Sequence, residues 1–297
     1  MNYLQQMWHK VDKRIMHRAK WWKIWRVASM SENEDKAKAL IENGIELAGA
    51  AATGAIGVIA GEPLLTGALA AGGLGLTKAL IKDGGDFLDR LLGPRERVRI
   101  GAAAAFAVER IRRNHEQGLP LRSDDFFDED ASRRSKAEEL LEGVLLKSKN
   151  AHEEKKARYL GNLFGNIAFT EEADIGLANF ALSLTERMTY RQMCSLWLFE
   201  MQTTINAQFP LKRSDYGGAG AIPLATDSLL HEIFDLYQIG LIFRKGEDGA
   251  NALAMLGFYD IAPADIRTNQ LGHALTVLLG LDDIPKEDIA SVIALLQ

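Results

Sequence analysis

The chain has one cysteine in 297 residues, Cys194, set in the apolar run MCSLWLF. One thiol cannot form an internal disulfide, and no multi-cysteine metal site can be built from it. A reducing, intracellular compartment is the expectation. An excess of positive charge is also missing: the formal net charge is −5, so there is no general attraction to nucleic acid, and anion binding would need a local patch. At 47% hydrophobic and 25% charged the composition is an ordinary globular mixture, which excludes a disordered chain. The length suffices for one large core or two moderate ones. The apolar residues near the N-terminus are scattered among lysines and arginines with no small-residue cleavage site after them, so no secretory signal is read.

The usual marks of catalysis are absent as well. HEQGL, HEEKK and HEIFD each begin as a zinc-protease helix would, but none has a second histidine four residues after the first. There is no GxSxG elbow and no GxxxxGK[ST] phosphate loop, and GGLGLT lacks the third glycine and the preceding strand of a dinucleotide site. His115, His152, His231 and His273 stand isolated in sequence and read as solvent-facing or helix-satisfied side chains. Cys194 reads as a small core residue rather than a nucleophile. The acids Asp124, Asp125, Asp128, Glu129 and Asp130 match no calcium loop and lack its central glycine, so they read as a solvated charge run. No enzyme activity, catalytic residue, metal or cofactor is expected.

What is present is concentrated at the N-terminal end. Residues 1–30 hold Lys10, Lys13, Arg14, Arg18, Lys20, Lys23 and Arg26 against one acid, Asp12, together with four of the five tryptophans, Trp8, Trp21, Trp22 and Trp25. Leu4, Trp8, Val11, Ile15, Ala19, Trp22 and Trp25 recur at three- and four-residue steps, so they share one helical face with cations on its flanks. This basic amphipathic helix has three physical readings. It can lie on a membrane surface, with tryptophan at headgroup level and Lys13, Arg14, Arg18 and Arg26 meeting anionic lipid. It can pack its Trp face into a groove of a partner or of this chain. It can bind nucleic acid by charge and stacking.

A helix start at Ser31 with Glu32 to Asp35 in its first turn leads into a second unusual stretch. Between Glu46 and Glu62 lie fifteen uncharged residues, and between Glu62 and Lys78 another fifteen. Pro63 disfavours helix at Glu62 yet suits the first turn of a new helix, so the stretch reads as two helices joined at Gly61-Glu62-Pro63. Gly49, Thr53, Gly57 and Gly61 fall at four-residue steps, as do Gly67, Ala71 and Gly75, with Gly72 beside them. Glycine inside a helix in water costs up to ~1 kcal/mol relative to alanine, so this many must gain from close helix approach. Fifteen helical residues reach about 22 Å against a hydrocarbon core of roughly 30 Å. The first arm is therefore too short to span alone. The second, extended to Ile81, carries a lysine near its end that can snorkel to the interface. In arrangement the pair resembles the hydrophobic hairpin of pore-forming colicins, which lies buried in a soluble bundle before it inserts.

Break signals at Gly84-Gly85 and Gly93-Pro94 end this region. The expected organisation is a basic Trp-rich helix over 1–30, a glycine-zipper hairpin over 31–93, a helical bundle over 94–205 and a C-terminal unit over 206–297. In the bundle an acidic loop covers about 122–130, Tyr159, Leu163, Phe164 and Ile167 share a face, and Thr189 with Gln192 forms a capping box. Leu196, Trp197 and Phe199 make the following helix apolar nearly all round, which places it in a core. The C-terminal unit reads as a helix capped by Thr226-Asp227 and broken at Gly240, a β-like run Leu241 to Arg244, a wing-like polar turn at Gly246 to Gly249, an extended piece and a helix. That order is the pattern of winged-helix modules. With few cations among many acids, a protein partner is expected there rather than DNA. The fold class expected is mainly α with a small β element.

The order KKARYLGNLFGNIAF, ANFALSLTERMTYRQMCSLWLF, DLYQIGLI, TNQLGHALTVLLGL, over about 155–281, resembles bacterial proteins of the abortive-infection alpha type. The resemblance implies phage defence and supplies no catalytic residues. Two functions follow as expectations. One is a membrane-active effector, a cytoplasmic protein peripheral or conditionally integral to the inner membrane, which binds anionic lipid, oligomerises through its zipper and permeabilises the bilayer. The other is a soluble oligomeric interaction protein whose C-terminal unit binds a partner.

Overall fold

The structure, a computed structural model, describes residues 94–128, 135–218, 220–246 and 252–297. These residues are mostly helical, with eight α-helices and one small antiparallel sheet of three strands. They form two units, residues 94–188 with Leu278–Gly280, and Thr189–Val277 with Leu281–Gln297. The helix Tyr190–Thr204, read from the sequence as the last of the bundle, thus groups with the C-terminal residues.

The first unit contains α1 (Pro94–Glu116), a 3-10 turn at Asp125–Phe127, α2 (Lys136–Asn150), α3 (Lys156–Ile167) and α4 (Ile175–Arg187). In α1 a run of small side chains, Ala102 to Ala105 and Ala107, is buried. Against it α3 sets Gly161 and Gly165, one turn apart. A Cβ at Gly161 would run into the Ala103 carbonyl, and one at Gly165 would sit 2.7 Å from Arg110 Cβ. Small residues four apart let the backbones of two helices approach, and here they do so at the α1–α3 crossing. Ile111, Leu140, Tyr159, Leu160, Leu163, Phe164 and Ile167 fill the space around this crossing. Asn162 and Asn166 donate to the carbonyls of Leu279 and Leu278, satisfying acceptors that a helix end leaves unpaired.

The segment between α1 and α2 is tied down by Arg122. Its guanidinium donates to Asp124 at 2.7 and 2.5 Å and to the carbonyls of Ile167 and Ala173, and it lies 4.4 Å from the centre of the Phe126 ring, which is itself buried. Asp125 accepts from Lys136 at 2.6 Å. Asp124 and Asp125 of the 122–130 loop are therefore ion-paired. The Thr170 hydroxyl donates back to the Asn166 carbonyl, and α4 begins after Asp174, whose carboxylate accepts from the Leu177 amide.

The second unit contains α5 (Tyr190–Thr204), α6 (Leu224–Gln238), β1 (Ile242–Lys245), β2 (Ala252–Leu253), β3 (Ile266–Thr268), α7 (Gln270–Leu279, its last two residues counting with the first unit) and α8 (Lys286–Leu295). α5 starts in the capping box of Thr189 and Gln192 and is buried continuously from Gln192 to Gln202. β1 is the central strand, paired antiparallel with β2 and β3, with Arg244 opposite Leu253 and Phe243 opposite Arg267. The cap expected at Thr226-Asp227 is corrected: α6 begins two residues earlier, behind Pro223, and Thr226 instead donates its hydroxyl to the Leu295 carbonyl. Gly240 takes φ +76° just past the helix end, a left-handed turn that favours glycine. Asn269 then caps α7 through the Gly272 amide and donates to the Gly240 carbonyl. Gly272 lies so close to the Leu241 carbonyl that a Cβ would collide with it.

Candidate functional site

Two places in the second unit concentrate chemistry, one buried and one on the surface. The buried one joins α5, β3 and α7. Glu200 is 2% exposed, and its carboxylate accepts the Thr268 hydroxyl at 2.6 Å and faces His273 Nδ1 at 2.8 Å. Burial is the strongest single influence on this carboxyl and raises its pKa. The His273 and Thr268 hydrogen bonds and the charge of His273 together outweigh it and hold the group below the ordinary glutamate range. An ionised carboxylate can only accept, so Nδ1 carries a proton toward it. Thr203 adds a bond from the same helix by accepting the Thr268 amide at 2.9 Å, and Gln202 donates to the carbonyls of Pro263 and Ile266. The His273 side chain is 53% exposed. The arrangement fixes an imidazole at the surface and locks β3 to α5. Among the described residues no group of three His, Cys, Asp or Glu is placed to hold a metal.

The surface site is built on α6 and the segment that follows β2. Asp227, His231 and Asp235 lie at four-residue steps and so share one face of α6. The Phe258 ring packs against the His231 ring with centroids 3.7 Å apart, and Tyr259 follows at 4.2 Å. Asp260 accepts from the amides of Leu256 at 2.7 Å and Gly257 at 3.0 Å, which fixes the turn between them. Met255 is buried, and its amide donates to the Tyr237 hydroxyl at 3.3 Å. Arg244 from β1 donates to the Asp260 carbonyl at 2.7 Å and faces Asp215 at 3.7 Å. The segment is pinned at these points. It nevertheless leaves Leu256 91% exposed, with Leu253 and Tyr259 exposed beside it in the chain. A held backbone that displays apolar side chains, with Asp227, Asp235 and Asp260 nearby, is complementary to an apolar and cationic surface.

The residues expected from the sequence to meet lipid, Trp8, Lys13, Arg14, Arg18, Trp21, Trp22, Trp25 and Arg26, lie outside the described residues. So do the packing residues Gly49, Thr53, Gly57, Gly61, Gly67, Ala71, Gly72 and Gly75 and the hairpin tip Glu62-Pro63. Among the described residues no helix is long and apolar enough to cross a membrane. His273, isolated in sequence, is 53% exposed as a solvent-facing side chain is, and the fold adds a partner, Glu200, from 73 residues away. The sequence reading also did not single out Leu253, Leu256, Phe258 and Tyr259. The signal for them was the apolar stretch from Ala252 to Tyr259 directly after a polar turn.

No protein-family model matches this chain, and no curated protein or solved structure is significantly similar to it.

Proposed function

We propose that the chain is a membrane-active effector of the kind used in bacterial abortive-infection defence. Its basic Trp-rich helix docks on the anionic face of the inner membrane, and its glycine-zipper hairpin inserts, oligomerises and makes the bilayer leaky. The observation that carries this reading is adjacency: seven cations and four tryptophans in residues 1–30 stand directly before two apolar arms of marginal length. In this reading the C-terminal unit is a winged-helix-like module that receives the trigger. The run of one helix, three strands and a second helix from α6 to α7 supports that assignment, and its excess of acids favours a protein partner over DNA. Flotation of the full chain with vesicles of anionic lipid tests the membrane role. Binding is expected to fall with salt and with Trp21→Ala, Trp22→Ala and Trp25→Ala together. A chain that stays at the bottom of the gradient at low salt contradicts it.

A second reading has its own support in the exposed Leu253, Leu256 and Tyr259 on a pinned segment. In it the protein is a soluble oligomer, the zipper packs helix on helix, and the C-terminal unit binds a protein. It expects a stable oligomer indifferent to lipid.

A further inference from the structure

We propose that the acidic and aromatic surface of α6 and residues 253–260 is the resting dock of the chain's own N-terminal segment, residues 1–30. The two surfaces are complementary in charge. The dock itself presents Asp227 and Asp235 on α6, within a unit whose residues 189–277 and 281–297 carry thirteen Asp and Glu, the buried Glu200 and the Arg191-paired Glu232 included, against seven Lys and Arg. Residues 1–30 carry the opposite surplus, seven Lys and Arg against Asp12. They are also complementary in shape of chemistry. The N-terminal segment offers a face of Trp8, Trp22 and Trp25 with cations on its flanks. The dock offers Leu253, Leu256 and Tyr259 with Asp227 and Asp235 along one face of α6.

The electrostatic term is local as well as global. Asp227 and Asp235 stand one turn either side of His231, whose ring carries Phe258. A cationic flank laid along α6 therefore meets carboxylates while its indoles meet the Phe258–Tyr259 edge. Attachment in one chain makes the encounter intramolecular, which favours it over an encounter with a second copy at low protein concentration.

The consequence is regulatory. The Trp face that reaches the leaflet in the proposed function is the face that occupies the dock, so the two states exclude each other. A partner that takes the dock releases the helix to the membrane. This inference rests on reading residues 1–30 as an amphipathic helix and does not require that the membrane be permeabilised.

The test uses the full chain in lipid-free buffer. Trypsin cleavage within residues 10–26 is timed for wild type, for Leu256→Ser with Tyr259→Ser, and for Asp227→Lys with Asp235→Lys, each shown by circular dichroism to be folded. Either double variant is expected to speed cleavage about tenfold, the factor that ~1.4 kcal/mol of lost docking gives. High salt is expected to do the same to wild type. Equal cleavage in all three proteins overturns the dock, whether or not the wild type leaks vesicles. Protection that vanishes on dilution also overturns it, because the occupant is then a second copy. Protection that persists while vesicles stay intact supports the dock and counts against the membrane reading alone.

Discussion

Glu200 and His273 lie 73 residues apart in sequence and 2.8 Å apart in space, carboxylate to Nδ1. With the Thr268 hydroxyl on the other carboxylate oxygen, one buried side chain of α5 holds both the strand β3 and the helix that follows it. Glu200 thus adds a charged tie to the neutral bonds that Gln202 and Thr203 make to the same strand region.

Glu200→Gln keeps the shape and removes the charge. The amide cannot accept from both neighbours with both of its heavy atoms, so a loss of about 1–3 kcal/mol is expected. The pH dependence has a definite sign. Glu200 is held below the ordinary glutamate value in the folded state, so its contribution is complete above that value and is lost as pH falls through the depressed one. Denaturant unfolding followed between neutral and strongly acid pH is expected to show a shallower acid loss in Glu200→Gln than in wild type. Parallel curves would show that the pair carries no such linkage.

Gly161 faces the Ala103 carbonyl with no room for a side chain. The obstacle is backbone, which cannot swing away as a flexible side chain would. Gly161→Ala is therefore expected to destabilise the first unit by about 1–3 kcal/mol despite the better helix propensity of alanine. Hydrogen exchange in α1 and α3 reads the effect, and unchanged protection there would contradict it.

Arg122 is buried and serves two backbone carbonyls and a carboxylate at once. Its removal leaves the Ile167 and Ala173 carbonyls without that donor, and Arg122→Ala is expected to cost about 2–3 kcal/mol. Arg122→Lys is expected to recover little, because one ammonium cannot reproduce the fork on Asp124. Thermal unfolding of the three proteins orders them wild type, lysine, alanine.

Leu256→Asp is expected to leave stability within about 0.5 kcal/mol of wild type, since the side chain is 91% exposed. A melting curve checks this, and a clear loss would mean that Leu256 has a structural role.

Local signals in the sequence were good guides to local structure. Thr189 and Gln192 stand in the expected capping box, Gly240 in the expected break, and Leu196, Trp197 and Phe199 in a buried helix, because each depends on neighbours within a few residues. The β-like run expected at Leu241 to Arg244 is the strand Ile242–Lys245, one residue later, and the extended piece before the last expected helix is the strand Ile266–Thr268 of the same sheet. Long-range partners left no such trace. His273 has nothing in its own helix to announce Glu200, and Thr226 resembles a cap although Pro223 already supplies the helix start. Gly161 and Gly165 repeat on a small scale the four-residue glycine spacing of 49–75, and only the Ala run of the facing helix shows that the pair is a packing site. The surface of Leu253, Leu256 and Tyr259 was hidden because an apolar run beside a turn reads first as an edge strand. Only the turn fixed by Asp260 shows which of its side chains face outward.

The most direct measurement is dye release from anionic liposomes by the full chain, beside the full chain carrying Gly57→Leu and Gly72→Leu. The account predicts release by the wild type and its loss in the variant, with both proteins giving the same unfolding transition for residues 94–297. No release by the wild type, or equal release by the two, would contradict a membrane-active zipper.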